Sequence, residues 1–130
     1  MKSSQSKSHE LGPAFAARRL LDLIAHKWTP IVIYCLSSDP VRFGELHRGV
    51  PGISKKMLIQ VLRQLEADGL VDRKVYELIP PKTEYKLTAA GKLIHQPIAA
   101  ICRWALSNEA LLEQIERKRV KQGMKPASVR

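Results

Sequence analysis

The stretch from Pro51 to Gly69 constrains the fold of this chain more than any other part of it. Ser54 is a residue type that caps helices through its side-chain oxygen. Gly69 is a type that stops them. Between the two, Leu58, Val61, Leu62 and Leu65 recur at i, i+3, i+4 and i+7, the spacing of one buried helix face. The spacing predicts a helix from Ser54 to about Asp68. Upstream, Gly44 to Gly49 encloses a short helix, Glu45-Leu46-His47-Arg48, and Val50-Pro51-Gly52-Ile53 reads as a turn. A short helix, a tight turn and a longer helix form the layout of a helix-turn-helix.

The outward face of the longer helix carries Lys55, Lys56, Ile59, Gln60 and Arg63, with Gln64 beside them. Arginine can bond guanine and glutamine can bond adenine through two hydrogen bonds, while lysine serves phosphate or guanine. Ile59 suits a thymine methyl, and the helix start at Ser54 favours a phosphate. The plain alternative is a solvated face of an amphipathic helix. The net charge of +10, from 22 Lys and Arg against 12 Asp and Glu, tells against it. Such a balance implies a polyanionic partner, with double-stranded DNA ahead of an anionic membrane surface.

The remaining segments fit around this centre. Residues 1–12 are polar and close on Gly12-Pro13, and are expected to be a disordered lead-in and not a signal peptide. From Ala14 a helix is expected with Ala17, Leu20, Leu21 and Ile24 on one face. Thr29 is expected to cap a second helix with Pro30 in its first turn, or the helix starts near Lys27. Ile31 to Leu36 is apolar nearly all round, which places that helix in the core. Val41 to Phe43 is a short extended piece. Leu70 to Leu78 and Thr83 to Leu87 read as two strands, because Pro80-Pro81 between them cannot supply ladder donors. Two strands after a helix-turn-helix make a wing, and Arg73, Lys74 and Lys82 on it are assigned to phosphate positioning. Arg48 is expected at the backbone too, with Arg42 and Lys27 as weaker candidates. Thr88 caps a last helical stretch, which Pro97 is expected to kink or divide. Ser107-Asn108 restarts a helix, and the basic tail from Glu116 is expected to fray.

Other functions find little support. No run approaches the ~20 apolar residues of a membrane span. His9, His26, His47 and His95 are scattered, and no carboxylate pair, nucleophile spacing or phosphate-cradling glycine loop is present, so no enzymatic activity is expected. Cys35 and Cys102 lack a metal-ligand spacing, so neither metal nor cofactor is expected, and both read as buried, reduced thiols.

The ordered set of short motifs is specific. Asp22-Leu23-Ile24 and Lys27-Trp28 are followed by Arg42-Phe43-Gly44-Glu45-Leu46, then by Pro51-Gly52-Ile53-Ser54-Lys55-Lys56-Met57-Leu58. Leu62-Arg63-Gln64-Leu65-Glu66-Ala67-Asp68-Gly69-Leu70-Val71 comes next. Pro80-Pro81-Lys82-Thr83-Glu84-Tyr85-Lys86-Leu87-Thr88 completes the order, with Gly91 and Trp104 beyond. From Phe15 to Trp104 this resembles the HxlR family of winged helix-turn-helix regulators. The resemblance implies an α+β fold, a winged helix-turn-helix with extra N- and C-terminal dimerisation helices. It divides the chain into the lead-in at 1–12, the winged domain at 13–106, and a C-terminal helix and basic tail at 107–130. It implies a cytoplasmic, bacterial, homodimeric repressor or activator on a near-palindromic operator. Leu20, Leu21, Ile24, Ile98, Ile101 and Trp104 are then candidates for the dimer interface or its supporting core. The alternative reading is a non-specific architectural nucleic-acid binder. A small-molecule effector of unknown identity fits a pocket lined by Tyr34, Trp28 and Trp104, though core packing explains those residues equally well. Many family members carry a sensing cysteine near the start of the first helix. Phe15 stands at that position here, so that thiol mechanism is not available, and Cys35 or Cys102 would react only if exposed and made acidic.

Overall fold

The computed structural model describes the backbone of residues 2–123 and the side chains of 11–123. The order of elements is α1 (Lys2–Leu23), α2 (Thr29–Cys35), β1 (Val41–Arg42), α3 (Phe43–Arg48), α4 (Lys55–Ala67), β2 (Val71–Tyr76), β3 (Lys82–Leu87), α5 (Ala89–Ser107) and α6 (Glu109–Lys121). The sheet is antiparallel with strand order β1-β3-β2. Its hairpin register runs from Val71 opposite Leu87 to Tyr76 opposite Lys82, and β1 pairs Val41 with Tyr85.

One core joins these elements. Val32 and Ile33 from α2, Leu36 just past its end, Leu58, Val61, Leu62 and Leu65 from α4, Val71 and Leu87 from the hairpin, and Ile98 from α5 are all buried. All four residues of the expected inward face of α4 are thus in the core, and each such side chain contributes roughly 1.5–3 kcal/mol on burial. Among the described residues no polar or charged side chain is buried.

The ends of α4 have the expected chemistry. The Met57 N–H donates to Ser54 Oγ at 3.0 Å. At the other end Gly69 has φ +76°, a left-handed conformation that glycine adopts without a Cβ penalty. The Leu70 N–H reaches Leu65 O at 2.9 Å and the Gly69 N–H reaches Glu66 O at 3.0 Å, the paired bonds of a Schellman stop. Thr88 likewise caps α5, accepting from the Gly91 N–H at 3.0 Å and donating its hydroxyl to Gly69 O at 2.7 Å. The end of α4 and the start of α5 are therefore tied to each other directly.

Several expectations are corrected. Helix α1 begins at Lys2 and runs through Pro13, so the described backbone of 2–12 is helical rather than disordered. No breaker precedes Gly12, and one proline removes a single N–H donor from the helix. Thr29 does not cap α2. The preceding turn is held by the Trp28 N–H on His26 Nδ1 at 3.2 Å and the Thr29 N–H on His26 O at 3.1 Å, so Thr29 is already inside the helix. Pro97 does not divide α5, because Ile94 and Ile98 on either side of it both pack on the core. Helix α6 continues past Glu116 to Lys121, where Lys118, Arg119 and Lys121 stand in the last turn and complement the helix dipole. The tail beyond Gly123 lies outside the described residues. The two thiols are not fully buried: Cys35, at the last position of α2, is exposed with its Sγ donating to Gly49 O at 3.8 Å, and Cys102 is half-buried.

Candidate nucleic-acid interface

Helix α4 turns one face to solvent because its other face is fixed in the core. Ser54, Lys55, Lys56, Ile59, Gln60, Arg63 and Gln64 are all exposed. Lys55, Lys56 and Arg63 make no ion pair among the described residues. Gln64 differs: its Nε2 donates to Asp68 Oδ1 at 2.9 Å, so it is occupied within the helix.

The turn that leads from the short helix α3 into α4 is braced by a side chain of α3. His47 Nε2–H donates to Ile53 O at 2.9 Å, bracing the turn between the two helices. The His47 ring stacks on Phe43 at 6.3 Å, and Phe43 meets Tyr85 of β3 at 6.4 Å. His47 is thus a positioning residue that its isolated place in the sequence did not reveal. Arg48 is exposed and its guanidinium folds back over Gly44.

The wing packs beside α4 and encloses a cleft of about 620 Å³ with it. Arg42, Phe43, Gly44 and Ile59 form one side, and residues 78–83 form the other. Arg73 does not stand free. Its Nε donates to Glu66 Oε1 at 3.2 Å, linking β2 to the end of α4. Lys82 Nζ lies 3.2 Å from Glu84 and 4.6 Å from the Tyr76 ring centre, and Lys74 lies 4.7 Å from the same ring. The Tyr76 hydroxyl donates to Glu84 Oε1 at 2.8 Å. That bond, partly opposed by burial, holds the Glu84 carboxyl below its ordinary value, with Lys82 and Arg42 adding to the effect. Two wing cations, Arg73 and Lys82, are thus paired with carboxylates, whereas Lys74 keeps its charge over the neutral Tyr76 ring, and Lys55, Lys56, Arg63 and the exposed Arg42 make no ion pair among the described residues. Lys27 lies over Trp28 at 5.5 Å.

The six dimer candidates separate into two groups. Ile24 and Ile98 are in the core and Leu20 is half-buried. Leu21, Ile101 and Trp104 are each more than half exposed. They share α1 and α5 with Phe15, Leu93 and Leu106, also exposed. Trp28 is buried in the core, and Tyr34 stacks on His95 at 5.8 Å, its carbonyl accepting from His95 Nε2 at 3.2 Å. Burial pushes the Cys35 thiol above its ordinary value, and nearby Cys102 adds to this.

A capped helix with an open cationic face, a bracing short helix and a β-hairpin beside it define a winged helix-turn-helix regulator of transcription. Residues 23–113 match the HxlR-like helix-turn-helix family, and the chain belongs to it. The chain is 46% identical over 83 residues to the uncharacterised HTH-type transcriptional regulator YkvN of Bacillus subtilis (strain 168), covering 64% of this chain and 70% of that one. A solved structure described as the redox regulator HypR in its reduced form matches with a TM-score of 0.70 at 39% identity, covering 76% of this chain and 98% of the other. The putative transcriptional regulator ytfH from Salmonella typhimurium matches with a TM-score of 0.67 at 34% identity, covering 79% and 89%. No described helix is long and apolar enough to cross a membrane.

Proposed function

We propose that the chain is a sequence-specific transcriptional regulator that binds a near-palindromic operator as a homodimer. The observation that carries this reading is the exposed face of α4, where Lys55, Lys56, Ile59, Gln60 and Arg63 stand together without internal partners. Gln60, Arg63 and Ile59 read base edges, and Lys55, Lys56 and the Ser54 helix start hold phosphates. Arg48 and Arg42 flank the duplex. Arg73 and Lys82 hold the wing in shape through Glu66 and Glu84 and add less net charge to the interface, while Lys74, over the Tyr76 ring, keeps its charge for a phosphate. Gln64 joins the reading only if it leaves Asp68.

The exposed Leu21, Ile101 and Trp104 form the centre of the dimer contact, with Ile24 and Ile98 supporting it from the core. Apolar exposure on this scale marks an association surface. A two-fold dimer sets the two α4 helices ~34 Å apart, one turn of DNA. Redox sensing is not carried over from the HypR neighbour. Phe15 occupies the position of the family thiol, and Cys35 is made less acidic rather than more.

Selection of bound sequences from a random DNA pool tests the proposal. Enrichment of one site with two half-sites is the expected result. A flat profile would overturn it and favour the architectural, non-specific reading that the charge of +10 also permits.

A further inference from the structure

The tip of the wing differs chemically from the rest of the interface. Residues Leu78-Ile79-Pro80-Pro81 carry no cation, and Glu77 before them is acidic. Ile79 is 102% exposed and Leu78 55%. The two lysines at the root of the tip, Lys74 and Lys82, are laid over Tyr76, and Lys82 is paired with Glu84. A loop built this way is poorly suited to grip phosphates. It offers a branched apolar side chain on a narrow, proline-stiffened support.

We propose that the wing tip is an apolar wedge that places Ile79 in the minor groove beside the α4 site, at a deformable pyrimidine–purine step. The inference rests on the reading of α4 as the base-reading helix. Continuity supports it, since Leu78 to Lys82 line the same cleft as Ile59 of α4, so tip and reading helix face one side of the molecule. The minor groove is about 6 Å wide, which admits one side chain but not a strand pair. Apolar side chains pushed between base steps partly unstack them and bend the duplex, and TA and CA/TG steps yield most readily. The prolines restrict the tip backbone in advance, which lowers the entropy lost on contact.

The test compares wild type with Ile79→Ala and Ile79→Lys on the selected operator. Anisotropy titrations at several salt concentrations give affinity and salt slope, and energy transfer between dyes at the operator ends gives the bend. Ile79→Ala is expected to bind roughly tenfold more weakly per wing, hence about a hundredfold for the dimer, through the loss of one buried apolar side chain at each wing. Its bend should shrink while its salt slope stays unchanged, because no charge is removed. Ile79→Lys should steepen the slope by about one per wing without restoring the bend. Full wild-type affinity and bend in Ile79→Ala, with wild type still preferring the operator, would overturn the wedge and leave the tip for a protein partner. A wild type without operator preference would overturn the α4 reading and the wedge together.

Discussion

Gly91 offers a sharp check of how the DNA-reading unit is joined to the rest of the chain. It lies in the first turn of α5, under the carbonyl of Leu70 where α4 passes into β2. A Cβ at this position would sit 2.0 Å from Leu70 O, 3.1 Å from Leu70 C and 3.2 Å from Leu87 Cδ2. Its nearest neighbour is backbone, so no side chain can rotate away. The two segments must part by about 1 Å at a junction packed to interior density. The same junction holds the Thr88 hydroxyl on Gly69 O at 2.7 Å and the Thr88 N–H on Leu70 O at 3.0 Å. Overpacking costs about 1–3 kcal/mol, and each strained hydrogen bond adds about 1 kcal/mol. Alanine's better helix propensity returns about 1 kcal/mol. Gly91→Ala is therefore expected to destabilise the fold by a net ~2–4 kcal/mol. Urea unfolding followed by far-UV circular dichroism, at one protein concentration because association alters stability, measures it. Gly69→Ala provides the scale: its φ of +76° strains alanine, but its Cβ would meet open space, so a loss of only about 1 kcal/mol is expected. A Gly91→Ala protein as stable as wild type would refute the close-contact argument.

Two further outcomes follow from the exposed surfaces. Ile101→Glu combined with Trp104→Glu should give a folded monomer in sedimentation equilibrium and at least tenfold weaker operator binding; an intact dimer would remove α5 from the interface. Because burial raises the Cys35 thiol, it holds less thiolate at neutral pH than a free thiol, and its alkylation rate should climb only at pH above that of an unperturbed cysteine. Mass spectrometry after timed iodoacetamide treatment reads this, and faster labelling than free cysteine at pH 7 would reverse the conclusion.

Local signals made α4 and the wing legible in the sequence. Ser54 and Gly69 act within a few residues of the helix ends they define, and the leucine spacing selects one face without knowledge of the rest of the fold. Pro80 and Pro81 separate the two strands in the same local way. What stayed hidden depends on residues brought together by folding. The Glu66–Arg73 and Lys82–Glu84 pairs form across a helix–strand step and along one strand, so composition counted Arg73 and Lys82 as open charge. The brace from His47 to Ile53 needs the turn between them, and a lone histidine carries no signal of it. Thr29 lies inside α2 rather than at its cap, because the turn before it is closed by the Trp28 N–H on His26 Nδ1 and the Thr29 N–H on His26 O. Pro97 leaves α5 undivided, because Ile94 and Ile98 on either side of it both pack on the core.

The central claim is that the outward face of α4 reads bases rather than merely attracting phosphate. Binding of Arg63→Ala and Gln60→Ala to the selected operator, to single-base variants of it and to random DNA tests this most directly. The account predicts that each variant loses discrimination at one base pair per half-site, worth about 1–3 kcal/mol, while its affinity for random DNA falls far less. An equal loss on every sequence would contradict it.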